Sequence, residues 1–177
     1  NGTKWLSEKY GGREYAIHSK GLELASYEPR RSVGMGLGYA TGNRGGCHLN
    51  GGYIALLESV GVLSMDPLTP KSKADLTVFM QDVLEAVSSA GFCLFSAQTF
   101  VPAIFYQLGP NHWITRATGR IMSHSGQAVR MMLRGVKLLR FNSMMLLPHA
   151  RALSLATGFK INTGQLILLG ERAFNLE

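Results

Sequence analysis

The chain has 177 residues and carries 18 Lys and Arg against 11 Asp and Glu, a formal net charge of +7 with histidine neutral. Apolar residues make up 46% and charged residues only 16%, below the roughly 25% of ordinary soluble chains, which excludes a disordered chain. Two cysteines, Cys47 and Cys93, are too few for a disulfide scaffold and predict a reducing compartment, the cytoplasm. Basic residues interrupt the most apolar third, so we expect no membrane span.

Both ends of the chain predict a piece of a longer protein. The first residues, Asn1 and Gly2, follow no initiator Met, and no signal-peptide core comes after them. Residues 170–177 are mostly helix-forming sequence up to the last residue, which predicts the same.

The first part of the chain predicts a short helix over 3–10 and a brief extended segment over 14–18. Residues 32–52 hold eight glycines, and each Gly costs nearly 1 kcal/mol in a helix relative to Ala. We therefore expect a Gly-rich loop there. Residues 53–62 are apolar enough for a buried helix, and 65–70 form a turn-rich linker.

The later part of the chain predicts helices almost throughout. Residues 71–87 place six apolar side chains at helical period on one face. Further helices are expected at 99–108 (buried, with Pro102 at its start), 114–133, 137–147 and 150–156 (ended by Gly158), and from Gln165 onward with Asn162 or Thr163 as cap. The predicted fold class is all-α, an irregular multi-helix arrangement with a Gly-rich loop and little or no sheet.

The glycine cluster does not encode a nucleotide-binding loop. A dinucleotide fingerprint requires a third Gly, but Tyr39 and Thr41 occupy the two positions where it could stand after Gly36 or Gly38. The glycines then indicate a close backbone approach, either to another segment of the chain or to a bulky ligand.

Two short segments carry residues suited to chemistry. Arg44, Cys47 and His48 could supply an anion contact, a soft ligand and a titratable group, although their neighbourhood holds no zinc motif. Cys93 follows the helix over 71–87, with Gly91 placed as its C-cap. That cysteine is either a small packed residue or a thiolate ligand for iron or another soft metal.

The C-terminal half is strongly basic. A nucleic-acid surface, contacts to the phosphates of an anionic cofactor, and arginines reaching out from buried helices are all open interpretations. The residues concerned are Arg116, Arg120, Arg130, Arg134, Lys137, Arg140, Arg151, Lys160 and Arg172.

Several longer runs carry a family resemblance. They read YGGREYAIHSKGLEL at 10–24, YEPR at 27–30, GLGYATGNRGGCHL at 36–49, ATGF at 156–159 and LGERAFNLE at 169–177. In order and spacing this sequence resembles the tungsten-containing aldehyde ferredoxin oxidoreductase family.

The resemblance implies a large subunit with a β-rich domain followed by two helical domains. Its tungsten is held by two pterins of the molybdopterin type beside one [4Fe-4S] cluster. Residues 1–50 would then be the end of one helical domain with a cofactor-facing Gly-rich loop, and 51–177 the next helical domain, truncated at its end.

The same resemblance implies roles for individual residues. Gly91, Phe92 and Cys93 are similar to the end of the family's pterin-contacting Asp-x-x-Gly-Leu-Cys motif, which makes Cys93 the fourth cluster ligand. Ser88 stands where the family has Asp, and a neutral hydroxyl accepts hydrogen bonds from a pterin more weakly.

Upstream of that motif, His48 stands where the family carries a His near tungsten, which makes it the catalytic candidate. Arg44, Gly45 and Gly46 would contact the cofactor.

In the full-length protein, the implied activity is oxidation of aldehydes to carboxylic acids, with electrons passing through the cluster to ferredoxin. The expected partners are the missing N-terminal part of the same subunit, ferredoxin and the aldehyde, with no nucleic acid and with a homo-oligomer left open. The isolated fragment is expected to be inactive and to bind no cofactor. The alternatives are a different substrate within the family, a basic nucleic-acid-binding module, and a cofactor-free structural paralogue.

Overall fold

The computed structural model describes residues 2–142 and 147–177. The helices are α1 Thr3–Tyr10, α2 Val33–Thr41, α3 Ala55–Glu58, α4 Lys73–Ser89, α5 Ala103–Leu108, α6 Trp113–His124, α7 Gly126–Lys137, α8 His149–Thr157 and α9 Thr163–Phe174, with 3-10 turns at Arg13–Tyr15 and Leu94–Phe100. The strands are β1 His18–Ser19 and β2 Leu22–Glu23. The predicted all-α class is confirmed.

Helix α4 is the centre of the core, as its apolar period predicted. It packs against α2, α7, α9 and the 3-10 turn that follows it. Phe79, Val83 and Val87 on its inner face are at most 2% exposed, and burying each such side chain contributes about 1.5–3 kcal/mol. Gly170 of α9 has no room for a Cβ beside the carbonyl oxygen of Asp82, so the two helices approach closely.

The predicted extended segment over 14–18 is wrong at residues 14 and 15 but confirmed at His18, which lies in β1. Arg13–Tyr15 is a 3-10 turn, and the extended residues lie just after it, where β1 and β2 pair antiparallel with His18 opposite Glu23. Lys20 and Gly21 form the two-residue loop with φ values of 51° and 84°. This conformation matches the right-handed twist of a hairpin, so it fixes the position of the strands.

The predicted Gly-rich loop is wrong over residues 33–41, which form helix α2. Each glycine on this helix has a close neighbour, and at Gly34 and Gly38 that neighbour leaves no room for a side chain. A Cβ on Gly34 would lie 2.6 Å from Ile54 Cγ2, and one on Gly38 would overlap the carbonyl oxygen of Gly51. Tertiary packing therefore overrides the low helix propensity of glycine.

The remaining helix predictions differ mainly in their bounds. Of the buried helix predicted at 53–62, only Ala55–Glu58 is helical, although all four residues are buried as expected. The helix predicted at 99–108 is limited to Ala103–Leu108 and has no buried residue. The helix predicted at 114–133 is interrupted at Ser125, whose hydroxyl accepts a hydrogen bond from Ala128 N and caps α7.

The helix predicted at 137–147 is wrong over residues 138–142, because α7 ends at Lys137. It is also wrong at residue 147, which is not helical, and residues 143–146 lie outside the described residues. The last two helices are confirmed: Gly158 ends α8 with φ of 77°, and Asn162 caps α9 through a capping box with Gln165.

One buried apolar cluster extends from Tyr53 to Ile167. A smaller cluster holds Met35, Tyr39 and Ala55 beside it. Among the described helices, none is long and apolar enough to cross a membrane. The division of the chain at residue 50 stays a prediction.

Candidate functional site

His48 lies in a cluster of aromatic rings. Its ring centroid is 5.5 Å from that of Tyr27 and 5.6 Å from that of Tyr53, and Tyr27 and Tyr53 approach edge to face at 5.9 Å. The two tyrosine hydroxyls are 3.3 Å apart. The imidazole is thus held by ring packing, and no hydrogen bond to its nitrogens is present among the described residues.

A tight turn brings His48 and Tyr53 together. The amide of Tyr53 donates to the carbonyl of His48 at 2.9 Å, and the amide of Gly51 donates to the carbonyl of Cys47 at 2.9 Å. Gly52 and Tyr53 both have positive φ, 99° and 47°. A positive φ at a bulky residue such as Tyr53 is uncommon and is found at functional sites, where the surrounding structure enforces it.

The aromatic cluster changes the acid–base properties of its members. Burial lowers the pKa of His48 below its usual value of 6.5, because desolvation disfavours the imidazolium. The hydrogen bond with Tyr27, together with burial, raises the pKa of Tyr53 to about 12. At neutral pH the site therefore holds a neutral imidazole beside a protonated phenol.

Gly45 and Gly46 pack against the β1–β2 hairpin. A Cβ on Gly45 would overlap the carbonyl oxygen of Ser19, and one on Gly46 would lie 2.5 Å from that of Leu22. Gly46 N also donates to Ser19 O at 3.2 Å. The close approach that these two glycines permit within this chain is to the hairpin, and their contact with a cofactor stays a prediction.

Arg44 precedes this pair on the surface. Its side chain is exposed, and its amide donates to Asn50 Oδ1 at 3.3 Å.

Cys93 lies on the surface directly after α4. The helix ends in a Schellman motif: Phe92 N donates to Val87 O at 3.1 Å, and Gly91 N donates to Ser88 O at 2.9 Å. Gly91 adopts φ of 77°, as its predicted role as C-cap requires. Ser88 and Gly91 are both exposed near the Cys93 turn.

Aromatic contacts connect the segment that holds His48 with the segment that holds Cys93. Tyr53 touches Phe95 edge to face with a centroid distance of 6.2 Å, and Phe95 comes two residues after Cys93. His48 packs on the other side of the contact, against Tyr53. His48 and Cys93, which are 45 positions apart in the sequence, thus belong to one continuous region of the molecule.

The described residues of this region supply too few donors for a complete metal centre. Within the described ranges, no group of three or more His, Cys, Asp or Glu could hold a metal ion. Cys93 offers one accessible thiol, which as a thiolate is a soft ligand for an iron–sulfur cluster. It can complete a cluster only if the other ligands come from outside the described chain.

Four residues of this region were not singled out from the sequence. They are Tyr53, Phe95 and the pair Ser96 and His149, whose Oγ and Nε2 lie 2.7 Å apart beside the Cys93 turn. The adjacent glycines at 51 and 52 mark the unusual backbone at Tyr53, but no local pattern marks the other three, because their contacts join segments distant in sequence.

The basic residues of the C-terminal half are partly neutralised. Arg130 makes a two-point ion pair with Asp75 at 3.1 Å, and Lys137 contacts both Asp82 and Glu171 at 2.7 Å. These contacts give basic residues an intramolecular role, and the nucleic-acid interpretation is not favoured.

Comparison with known proteins defines the class of this fold. The family model described as "Aldehyde ferredoxin oxidoreductase, domains 2 & 3" matches residues 1–177, so the fold is that of the second and third domains of a redox enzyme. The chain belongs to the aldehyde ferredoxin oxidoreductase family.

Individual relatives agree with the family match. The tungsten-containing aldehyde ferredoxin oxidoreductase of Pyrococcus furiosus is 42% identical over 97 residues, which cover 54% of this chain and 16% of that relative. Its namesakes from Thermococcus kodakarensis and Pyrococcus horikoshii are 40% identical over 97 residues and 41% over 93. The matches thus span only 15–16% of the length of these relatives.

Proposed function

We propose that this chain is part of a tungstopterin oxidoreductase subunit that oxidises aldehydes to carboxylic acids and passes electrons through a [4Fe-4S] cluster to ferredoxin. The observation that carries the proposal is the exposed thiol of Cys93, which follows the Schellman motif at the end of α4. The chain that holds this thiol belongs to the aldehyde ferredoxin oxidoreductase family. When bound, the tungsten cofactor and the cluster supply the redox chemistry, and the protein positions and shields them.

Cys93 would bind the cluster as its fourth ligand. Its thiol is exposed on the surface of the described chain, where a cluster held by three cysteines of a preceding segment could reach it. The α4 terminus fixes the backbone before it, and the 3-10 turn Leu94–Phe100 fixes the backbone after it.

His48 would accept or donate a proton at the substrate. Because burial lowers its pKa, the imidazole is neutral near pH 7 and can accept a proton at one ring nitrogen. Tyr27 and Tyr53 contact its ring and restrict its rotation. Tyr53 keeps its own proton because its pKa is about 12, so it serves as a hydrogen-bonding neighbour and not as a competing base.

The pterin would contact two segments of this chain. One holds Arg44, Gly45 and Gly46, where the guanidinium is exposed and suited to an anionic group. The other is the α4 terminus with Ser88, Gly91 and Phe92. The neutral Ser88 hydroxyl would hold the pterin less tightly than a carboxylate.

The remaining partners follow from the same proposal. The preceding part of the subunit would supply the other cluster ligands, so the isolated chain would hold no cofactor and show no activity. Ferredoxin would accept the electrons, and a homo-oligomer is compatible with the proposal. Both cysteines of the described chain are free thiols, which fits a reducing compartment, the cytoplasm.

Metal analysis and an activity assay test this proposal together. The full-length protein that contains this chain is purified without oxygen, and iron and tungsten are counted by mass spectrometry. We expect about four irons and one tungsten per chain, with aldehyde-dependent reduction of ferredoxin. A folded full-length protein without metal would contradict the proposal and favour the cofactor-free paralogue, whereas full metal content without aldehyde oxidation would indicate a different substrate.

A further inference from the structure

A buried histidine lies behind the Cys93 turn. His149 is the first residue of α8 and only 5% exposed, and its ring packs edge to face on Phe92 with centroids 5.0 Å apart. Its Nε2 is 2.7 Å from Ser96 Oγ. Ser96 Oγ is in turn 2.5 Å from the carbonyl oxygen of Cys93. These contacts form a line from the core to the backbone of Cys93.

Counting protons along this line fixes the direction of its hydrogen bonds. The carbonyl oxygen of Cys93 can only accept, so the Ser96 hydroxyl donates its single proton to it. The hydroxyl oxygen then needs a donor, and His149 Nε2–H is the group within reach. This arrangement makes His149 a neutral imidazole protonated on Nε2.

The other ring nitrogen agrees with this direction. His149 Nδ1 is buried and has no hydrogen-bond partner among the described residues. In the Nε2–H tautomer, Nδ1 carries a bare lone pair, whereas the opposite tautomer would bury an N–H without an acceptor. Buried donors without acceptors are the rarer and more costly case in proteins.

The carbonyl oxygen of Cys93 accepts two hydrogen bonds. Ser96 N donates to the same Cys93 oxygen at 2.9 Å, so backbone and side chain of one residue together fix the peptide plane after Cys93. The orientation of that plane restricts the backbone of Cys93, and with it the direction of its Cα–Cβ bond. We propose that His149, acting through Ser96, is a positioning residue for Cys93 and thereby for the cluster that this thiol would bind, an inference that rests on the proposed function.

The test compares variants in the full-length protein purified without oxygen. His149→Leu removes the donor and keeps an apolar side chain, while His149→Gln keeps an N–H donor. Ser96→Ala removes the hydroxyl that joins the two residues. His124→Leu, on the exposed face of α6, is the matched control for loss of an imidazole. The measurements are iron per chain and the midpoint potential of the cluster, followed by electron paramagnetic resonance.

Hydrogen bonds and solvent exposure near a ligand thiolate tune the cluster potential. We therefore expect His149→Leu and Ser96→Ala to shift the midpoint potential in the same direction, with His149→Gln close to wild type and His124→Leu unchanged. The double variant with His149→Leu and Ser96→Ala should shift the midpoint potential no further than Ser96→Ala alone, because both residues act through the Ser96 hydroxyl. If His149→Leu fails to fold, His149→Phe, which also lacks the donor, takes its place and should shift the potential in the same direction as Ser96→Ala.

Failure of the proposed function and failure of the positioning role give different results. A wild-type protein without iron would overturn the proposed function itself. If the wild-type protein holds the cluster and neither Ser96→Ala nor His149→Leu changes its midpoint potential, only the positioning role is overturned. Additive shifts in the double variant would also overturn it, because they would show that the two residues act independently.

Discussion

Lys73 and Glu58 form an ion pair inside the core, with Lys73 Nζ 2.5 Å from Glu58 Oε1 and both side chains at most 1% exposed. The same carboxylate accepts hydrogen bonds from the amides of Gly34 at 3.1 Å and Met35 at 3.3 Å. It also accepts one from the hydroxyl of Ser32. One carboxylate thereby joins α3 and α4 to the first turn of α2, where unpaired amides and the helix dipole favour a negative charge.

Removing the lysine of this pair should destabilise the chain strongly. Lys73→Met leaves the carboxylate of Glu58 buried without its counter-charge, which costs about 3–5 kcal/mol. Urea unfolding of the purified chain measures the difference in the free energy of unfolding. Lys71→Met, an exposed residue two positions away, should change it by less than about 0.5 kcal/mol. Equal effects of the two substitutions would contradict the role of the buried pair.

Two helical glycines should respond in opposite directions to the same substitution. Gly38→Ala inserts a methyl group where the carbonyl oxygen of Gly51 lies, so it should destabilise the chain by about 1–3 kcal/mol or more. Gly135→Ala in α7 meets nothing within 4 Å and should stabilise by about 0.4–1 kcal/mol through helix propensity. Thermal unfolding of both variants provides the comparison. A neutral Gly38→Ala would show that α2 does not pack as described.

The glycines of α2 also show what sequence alone could not predict. Local propensity indicated a loop, because the neighbours that require glycine at positions 34 and 38 come from residues 51–58, which are distant along the chain. In contrast, α4 was predictable because its apolar residues repeat at helical period, and the capped ends at Gly158 and Asn162 carry local signals.

The candidate site was predictable to a similar extent. His48 and Cys93 could be selected from motifs that resemble a family. Their neighbours Tyr53, Phe95 and His149 could not, because each becomes part of the site only through ring contacts or hydrogen bonds made by the folded chain.

The stability of the chain should decrease on acidification through the titration of His48. Burial lowers the pKa of His48 in the folded chain, so near pH 6 the unfolded chain binds more protons than the folded one. This contribution to stability is present above the unfolded pKa of about 6.5 and is lost as the pH falls toward the folded pKa. His48→Phe should therefore reduce the loss of unfolding free energy between about pH 7.5 and about pH 5.5. An unchanged pH dependence would contradict the burial of this imidazole.

Introducing a carboxylate at Ser88 should strengthen pterin binding. Ser88→Asp provides a charged acceptor, whose hydrogen bonds are roughly twice as strong as those of a neutral hydroxyl. The full-length variant should retain more pterin and tungsten per chain than wild type after gel filtration. Ser89→Asp is the control, because it places the same charge at the next exposed position of α4. Equal retention in both variants would show that Ser88 does not face the pterin.

The most direct test of the account is the iron content of full-length protein carrying Cys93→Ala, compared with wild type and with Cys47→Ala. Cys93 is the exposed thiol and Cys47 is partly buried, so the pair separates cluster binding from the general loss of a cysteine. We expect Cys93→Ala to lose the cluster iron and Cys47→Ala to keep about four irons per chain, as in wild type. A Cys93→Ala protein that retains all its iron would contradict the account.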